Sequence, residues 1–160
     1  MDHVVIRKLE HLTGTASSPK LGFAVETRDR PGPAHKSGAF QDDIVWIQLH
    51  GGLFVAKAKV RISWLGEYSN IREIRARTKG SLLFEQEDFW ARRARFGYAA
   101  LAQLHQEIWI DPFWGGPRTY GYEWVVLDEP KKRSSWLDHK EPPRGSGADL
   151  VERFMKFKTR

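Results

Sequence analysis

The sequence predicts an α+β fold in which a mixed β-barrel of five to six strands carries inserted helices and is followed by a basic C-terminal extension. Several β-rich runs are separated by turn residues, and one long stretch in the middle of the chain is typical of helix. Strands and helices do not alternate as they do in a doubly wound parallel sheet. At 160 residues the chain is long enough for one domain with a hydrophobic core. We assign residues 1–130 to that domain and residues 131–160 to the extension.

The N-terminal part of the chain contains two predicted strands and two predicted loops. Residues 4–6 form a short strand or an ordered N-terminal arm, and residues 21–28 form a strand of alternating character. Residues 13–19 are small and polar, and residues 29–38 are rich in proline and glycine, which cannot continue a strand. Both of these segments are therefore predicted to be loops.

Residues 42–63 contain the clearest motif, a β-hairpin. Two β-rich runs meet at Gly51-Gly52, which is typical of a two-residue hairpin turn because both glycines tolerate positive φ. The second run alternates between an apolar and a cationic set: Phe54, Ala56, Ala58, Val60 and Ile62 form the first, and Lys57, Lys59 and Arg61 form the second. This alternation predicts a half-buried strand with three cations facing water.

The elements after the hairpin are predicted from weaker patterns. Residues 64–70 form a connection, and the weak alternation of residues 71–78 favours a strand over a helix. Residues 81–106 are predicted to form two helices separated at Gly97, because the acids come early and the arginines late, as a helix dipole favours. The remaining predictions are strands at 107–111 and 119–127, a loop at 112–118, a linker at 142–147 and a short terminal helix at 149–158.

The composition restricts the classes of function. The chain contains no cysteine, which excludes disulfides, thiolate metal sites and cysteine nucleophiles. No apolar run approaches the roughly 18 residues that span a bilayer, and the start lacks an apolar signal core, so we expect a cytoplasmic protein with no membrane partner. The formal net charge is +6, and residues 131–160 hold nine of the 26 Lys/Arg against four of the 20 acids. Clustered positive charge of this kind favours nucleic acid as the partner.

Residues 21–128 carry a series of motifs in a fixed order. A Glu26-x-Arg28 strand end precedes an Asp-Asp-Ile-Val-Trp-Ile strand; Gly-Gly-Leu-Phe-Val-Ala-Lys-Ala-Lys-Val follows, and after a helical insertion Tyr-Gly-Tyr-Glu-Trp-Val-Val-Leu closes the series. This order resembles the PUA-like superfamily, in particular its ASCH and EVE branches. The resemblance implies a pseudo-barrel with a cleft for a nucleobase or a nucleic-acid strand, and for the EVE branch the reading of modified bases. The ASCH pattern Gly-x-Lys-x-x-Glu-x-Arg has Ala24 in place of its lysine here, which argues against the amidohydrolase activity of one ASCH group.

Aromatic and charged side chains supply the candidate binding residues. A pocket for a base needs flat rings to stack on it and polar groups to read its edge. The predicted base-binding residues are Glu26, Arg28, Trp46, Trp64, Tyr68, Trp114 and Tyr120. The residues predicted to contact the phosphate backbone are Lys57, Lys59, Arg61, Arg75, Arg77, Arg92 and Arg93.

Two other interpretations stay open at this point. The first is a small hydrolase acting on a modified nucleoside with Glu26 as acid or base, although no paired nucleophile and base is evident in the sequence. The second is a protein-interaction module that docks an acidic partner through the tail. The six histidines are scattered without the spacing of metal ligands, and no P-loop or Gly-x-Ser-x-Gly elbow occurs, so no metal, cofactor or catalytic residue is predicted.

Overall fold

A computed structural model describes residues 1–117, 122–145 and 147–159 of the chain. The strands within these ranges are β1 (Asp2–Arg7), β2 (Phe23–Arg28), β3 (Ile44–Leu49), β4 (Leu53–Tyr68), β5 (Gly97–Trp114) and β6 (Trp124–Leu127). The α-helices are α1 (Pro33–Ser37), α2 (Ile71–Arg77), α3 (Glu87–Ala91), α4 (Pro130–Leu137) and α5 (Leu150–Lys158), and two 3-10 turns lie at Leu9–His11 and Leu82–Glu85. The α+β class and the six strands agree with the prediction.

The six strands form one mixed sheet that curls into a half barrel. Their order is β2-β5-β4-β3-β1-β6, with β1 parallel to β3 and every other described pair antiparallel. The barrel therefore has two edge strands, β2 and β6. Side chains cross the gap between these edges: the Arg7 guanidinium donates from Nη2 to the Phe23 carbonyl at 2.7 Å, and the Thr27 amide donates to Glu123 Oε1 at 3.2 Å. The gap positions the site described below.

The predicted hairpin is confirmed, but its second strand is longer and less regular than the pattern indicates. Gly51 and Gly52 have φ of +113° and +112°, as the turn requires. Register shifts interrupt the pairing of β4 with β5, so that Phe54 turns to the opposite face and packs against Trp136, and Ile62 is 64% exposed. Of the five residues predicted to form the apolar face, Ala56, Ala58 and Val60 are therefore the ones that lie in the main core, because each bulge reverses the alternation that follows it.

Residues 71–78, predicted to be a strand, form helix α2. The Asn70 side chain accepts a hydrogen bond from the Arg72 amide at 2.9 Å and caps the helix. Only Ile74 of this helix is buried. An N-cap of this type stabilises a helix by about 1 kcal/mol, which decides the structure of a segment whose apolar pattern is weak.

The predicted second helix, residues 97–106, is wrong: these residues begin β5. Their alanine-rich run is buried between β2 on one side and β4 on the other. A central strand buried on both faces has a continuous apolar sequence, which periodicity cannot distinguish from a buried helix. Gly97 is required at the start of the strand, because a Cβ at this position would lie 2.1 Å from the Arg28 carbonyl oxygen.

Five smaller predictions also change. The loop at 29–38 contains the one-turn helix α1, and the connection at 64–70 is mostly the continuation of β4. Residues 107–111 and the first part of the 112–118 loop belong to β5, and the closing strand is shorter than predicted, since it begins at Trp124. Residues 118–121 lie outside the described residues.

Helices α4 and α5 pack on the sheet. The Trp136 ring of α4 is buried in the cluster that contains Phe54, and Leu150 and Phe154 of α5 are buried in the main core. Helix α4 is not predicted by the sequence, whereas the terminal helix is confirmed within one residue. Among the described residues no helix is long and apolar enough to cross a membrane.

Candidate functional site

A cleft of about 690 Å³ lies at the gap between the two edges of the half barrel. This volume falls within the roughly 300–1,000 Å³ typical of small-molecule sites. Its walls are the ends of β1 and β2, helix α3 with the turn that follows it, and the segment before β6. The lining residues are Ile6, Arg7, Lys8, His11, Thr27, Arg28, Asp29, His50, Asp88, Phe89, Arg92, Arg93, Ala94, Tyr122 and Glu123.

Arg7, at the end of β1, forms the most buried charged part of the cleft. Arg7 is only 4% exposed, and its Nη2 donates a hydrogen bond to the Phe23 carbonyl of β2. Nη1 is also buried and has no hydrogen-bond partner among the described residues. Burial, together with the charge of Arg93, lowers the pKa of Arg7 to about 10, so the side chain is still a cation at neutral pH. A buried cation with an unsatisfied N–H is costly unless an anion can approach it.

Arg93 brings a second guanidinium to the same wall. Its Cζ lies 3.9 Å from the centroid of the Phe89 ring, and the Arg7 Cζ lies 5.9 Å from the same centroid. Arg93 is fixed by two further contacts, because Nε donates to the Phe89 carbonyl at 3.1 Å and Nη1 pairs with Glu123 Oε2. Glu123 in turn accepts the Thr27 amide. The two sheet edges are thus joined by an Arg–Glu–backbone chain beside Arg7.

Arg28 and Tyr122 form a stacked pair in the lining. The Arg28 Cζ lies 4.3 Å from the centroid of the Tyr122 ring, and Tyr122 is 38% exposed. A guanidinium plane on an aromatic ring makes a flat surface on which a further π system can stack. Tyr68 supports the opposite wall from behind, since its hydroxyl donates to the Ala94 carbonyl at 2.7 Å.

The lining carries more positive than negative charge. Its five Lys/Arg residues face three carboxylates, and two histidines also line the cleft. Burial lowers the pKa of His11, which keeps that ring neutral at physiological pH. Focusing of field lines in a cleft of this sign raises the local concentration of anions.

Of the fourteen residues predicted to bind, the structure brings Arg28, Arg92 and Arg93 into the cleft. Arg28 belongs to the Glu26-x-Arg28 motif. Arg92 and Arg93 lie directly after α3, where they were expected in the middle of a long helical stretch. These three cations come from two segments more than 60 residues apart in sequence, which the fold brings to the same cleft.

Glu26 lies next to the cleft but is closed off from it. The residue is 1% exposed, and a Cβ on Gly32 would lie 2.3 Å from its Oε1, so the carboxylate is pressed against the start of α1. Burial raises the pKa of Glu26 to about 7, although the amides of His35 and Ala34 act in the opposite direction. Neither oxygen has a hydrogen-bond partner of regular geometry among the described residues. Its burial removes Glu26 from contact with a ligand in the cleft.

The predicted aromatic residues do not converge on one pocket. Trp46 packs edge-on to Phe113 and donates from Nε1 to Asp2 at 3.0 Å, on the outer face of the sheet. Trp64 and Tyr68 lie within β4 rather than in a loop, and Trp114, expected to be exposed, is buried in the core. Tyr120 lies outside the described residues.

The predicted phosphate contacts are divided among three places. Lys57, Lys59 and Arg61 follow one another along β4, where Lys57 lies 5.4 Å from the centroid of the Trp46 ring. On α2, Arg75 makes a bidentate salt bridge with Glu87 at 2.7 and 3.1 Å, so its guanidinium is already paired with a carboxylate. Arg77 stacks on Trp64 at 3.9 Å.

Several residues of the cleft were not predicted from the sequence, above all Arg7, Phe89 and Glu123. Arg7 follows Val4-Val5-Ile6 at a strand end, where a single cation normally marks the return to solvent. The only indication in the sequence is the adjacent Lys8, because two consecutive cations then follow an apolar run. Neither residue indicates that β1 lies beside the open edge of the sheet.

The described residues contain no cluster of three His, Asp or Glu side chains that could hold a metal ion. Comparisons of the chain with known protein families, with curated proteins and with solved structures find no match.

Proposed function

We propose that this protein is a nucleic-acid-binding module of PUA-like type, which takes one nucleotide of a strand into the cleft between the edges of its half barrel. One observation carries the proposal: Arg7 is a buried cation in the lining of the cleft, and its Nη1 has no hydrogen-bond partner among the described residues. The charges of Glu123 and Glu107 offset only part of the cost of desolvating this guanidinium, so a ligand with an anionic group is needed to offset the rest. A phosphate oxygen fits that requirement, because arginine is the preferred donor to phosphate.

The cleft also offers surfaces that suit the other parts of a nucleotide. The Arg28–Tyr122 pair offers a flat platform for a base, and stacking of a base on an aromatic ring is worth about 1–3 kcal/mol. Asp29 and Asp88 also line the cleft, and carboxylates accept hydrogen bonds from the amino groups of bases. Discrimination of a modified base would take place at this platform.

The exposed cations outside the cleft support the proposal by a different mechanism. Lys57, Lys59 and Arg61 form a row on the surface of β4. Such a row contributes affinity through release of counterions, without reading sequence. We assign the row to the flanking backbone of the strand and the cleft to a single nucleotide.

The proposal is tested by fluorescence anisotropy with labelled single-stranded DNA and RNA at a series of salt concentrations. The logarithm of the affinity should fall linearly with the logarithm of the salt concentration, by about 0.7 for each phosphate contact on a single strand. Arg93→Gln should weaken binding, whereas Arg144→Ala, an exposed cation remote from the cleft, should bind like the wild type after correction for its charge. Absence of binding to both nucleic acids, or binding that does not depend on salt, would contradict the proposal.

A further inference from the structure

The position of Arg7 at the bottom of the cleft restricts which phosphate can reach it. The residue is 4% exposed and still lines the cavity. A phosphodiester inside a strand is joined to sugars on both sides, so both chain directions must leave the cleft through its opening. A terminal phosphate is joined on one side only and can enter end-on.

The charges near Arg7 also distinguish the two kinds of phosphate. Arg93 already has the carboxylate of Glu123 as its partner, whereas Nη1 of Arg7 has none among the described residues. A monoester carries a charge of about −1.5 to −2 near neutral pH and has three acceptor oxygens. A diester carries one negative charge. The monoester therefore compensates a desolvated guanidinium better and has an oxygen left for Arg93.

We infer that the cleft selects a phosphate monoester, as found at the 5′ or 3′ end of a nucleic-acid strand or on a nucleoside monophosphate, over the diester within a strand. This inference rests on the proposed nucleic-acid-binding function, because it names the part of the strand that the cleft receives. Arg7 provides the deepest contact and Arg93 the second. Arg28 and Tyr122 then contact the nucleoside that carries the phosphate.

The test compares four otherwise identical labelled oligonucleotides: one with a 5′-phosphate, one with a 3′-phosphate, one with hydroxyl groups at both ends, and one circular. A preference of about tenfold or more for one phosphorylated end is expected, since the monoester carries the larger negative charge and has one more acceptor oxygen than the diester. A nucleoside monophosphate should compete for the site, and inorganic phosphate should compete more weakly because it lacks the stacked base. These two competitors distinguish an end-binding site from a site for the phosphate group alone.

Three variants assign the preference to the cleft. Arg7→Lys keeps a positive charge but loses the planar fork, and Arg93→Gln removes the second donor group; each should reduce the preference to about threefold or less. Arg144→Ala should leave the preference unchanged. Arg93→Gln keeps the test valid if Arg7→Lys fails to fold, because Arg93 is 14% exposed at its side chain and is not in the core.

Each outcome has a defined meaning. Salt-dependent binding of all four oligonucleotides with equal affinity would overturn the inference and leave the proposed function intact. Binding of none of them would overturn both. A preference that survives in Arg7→Lys and in Arg93→Gln alike would place the end-binding site elsewhere and also overturn the inference.

Discussion

The two groups of cations in this protein, Arg7 and Arg93 in the cleft and Lys57, Lys59 and Arg61 on β4, differ in what surrounds them. The cleft arginines are held by carbonyl groups, by Glu123 and by the face of Phe89. The side chains of the β4 row project from one strand of the sheet and remain partly or fully exposed. The first group is preorganised and desolvated, whereas the second is solvated and screened by salt.

Because of this difference, the number of exposed cations on a surface is a poor guide to where a ligand is recognised. An exposed lysine interacts with a phosphate in high dielectric and gains about 1 kcal/mol or less from a single pair. A buried guanidinium with an unsatisfied donor has already been desolvated during folding, so a ligand that reaches it regains that cost as affinity. We therefore expect the cleft to determine which group is bound and the row to determine how binding depends on salt.

The largest effect is expected from Arg7→Met, which removes the cation at the bottom of the cleft. Affinity for a strand with the preferred terminal phosphate should fall on the order of 100-fold, since loss of one partner of a buried charged contact costs about 2–5 kcal/mol. Stability should change by only about 1 kcal/mol, because the loss of the bond to Phe23 is offset by removal of a desolvated charge. Anisotropy and chemical denaturation measure the two quantities. Unchanged affinity in a folded variant would assign binding to the β4 row instead.

The next effect concerns stability and defines the boundary of the cleft. Glu26 has a pKa of about 7 in the folded protein against 4.5 in the unfolded chain. Below pH 4.5 both states hold the proton; between pH 4.5 and 7 only the folded state does, so the free energy of unfolding falls as pH rises through this window and is then constant. Glu26→Gln should therefore stabilise the protein by about 3 kcal/mol above pH 7 and much less at low pH.

Glu26→Gln should leave nucleic-acid binding unchanged, because the carboxylate is closed off from the cleft. Denaturation curves at several pH values and anisotropy test both statements. Glu67→Gln, which removes the charge of an exposed glutamate on β4, is the control for the loss of one carboxylate. A loss of binding in Glu26→Gln would extend the site to include this residue.

A smaller effect is expected when the row is removed by the triple substitution Lys57→Ala, Lys59→Ala and Arg61→Ala. Affinity at low salt should fall roughly tenfold, and the salt slope should become shallower by about 2 if all three cations contact a single strand. The preference for a phosphorylated end should persist. The control is the triple substitution Lys36→Ala, Lys79→Ala and Arg144→Ala, which removes the same charge from three other exposed positions. An equal change of slope in both triple variants would show that net charge alone is responsible.

The smallest effect has the opposite sign. Glu123→Gln removes the negative charge that partners Arg93 but keeps an oxygen that can accept the Thr27 amide. Affinity for the phosphorylated strand should rise about threefold, because an anion in the cleft is no longer repelled by this carboxylate. Isothermal titration calorimetry measures the change. A weaker affinity would mean that the Arg93–Glu123 pair is needed to shape the cleft.

The sequence predicts the class of the fold and one part of the site, and the reasons for its failures are physical. The hairpin at Gly51-Gly52 is local, since its turn chemistry and alternation are contained in about 20 residues. Helix α2 depends on the Asn70 cap, and residues 97–106 depend on pairing with two strands that are distant in sequence. The hydrophobic periodicity of the sequence determines neither of these two structures.

The site was predicted in part for the same reason. Arg28 is predicted from the Glu26-x-Arg28 strand end, and Arg92 and Arg93 are predicted from the concentration of basic residues after the hairpin. The structure places all three in the lining of the cleft. Arg7 is not among the predicted residues, because its place in the cleft depends on the gap between the edge strands β2 and β6, which only the curled sheet creates. Trp46 and Trp114 were chosen as aromatic platforms, but their surroundings are filled by protein.

The most direct measurement is a crystal structure of the protein with a short single strand that carries the preferred terminal phosphate. The account predicts phosphate density within hydrogen-bond distance of Arg7 Nη1 and Arg93, with the first base stacked beside Tyr122. A strand that crosses Lys57, Lys59 and Arg61 while the cleft contains no part of it would contradict the account.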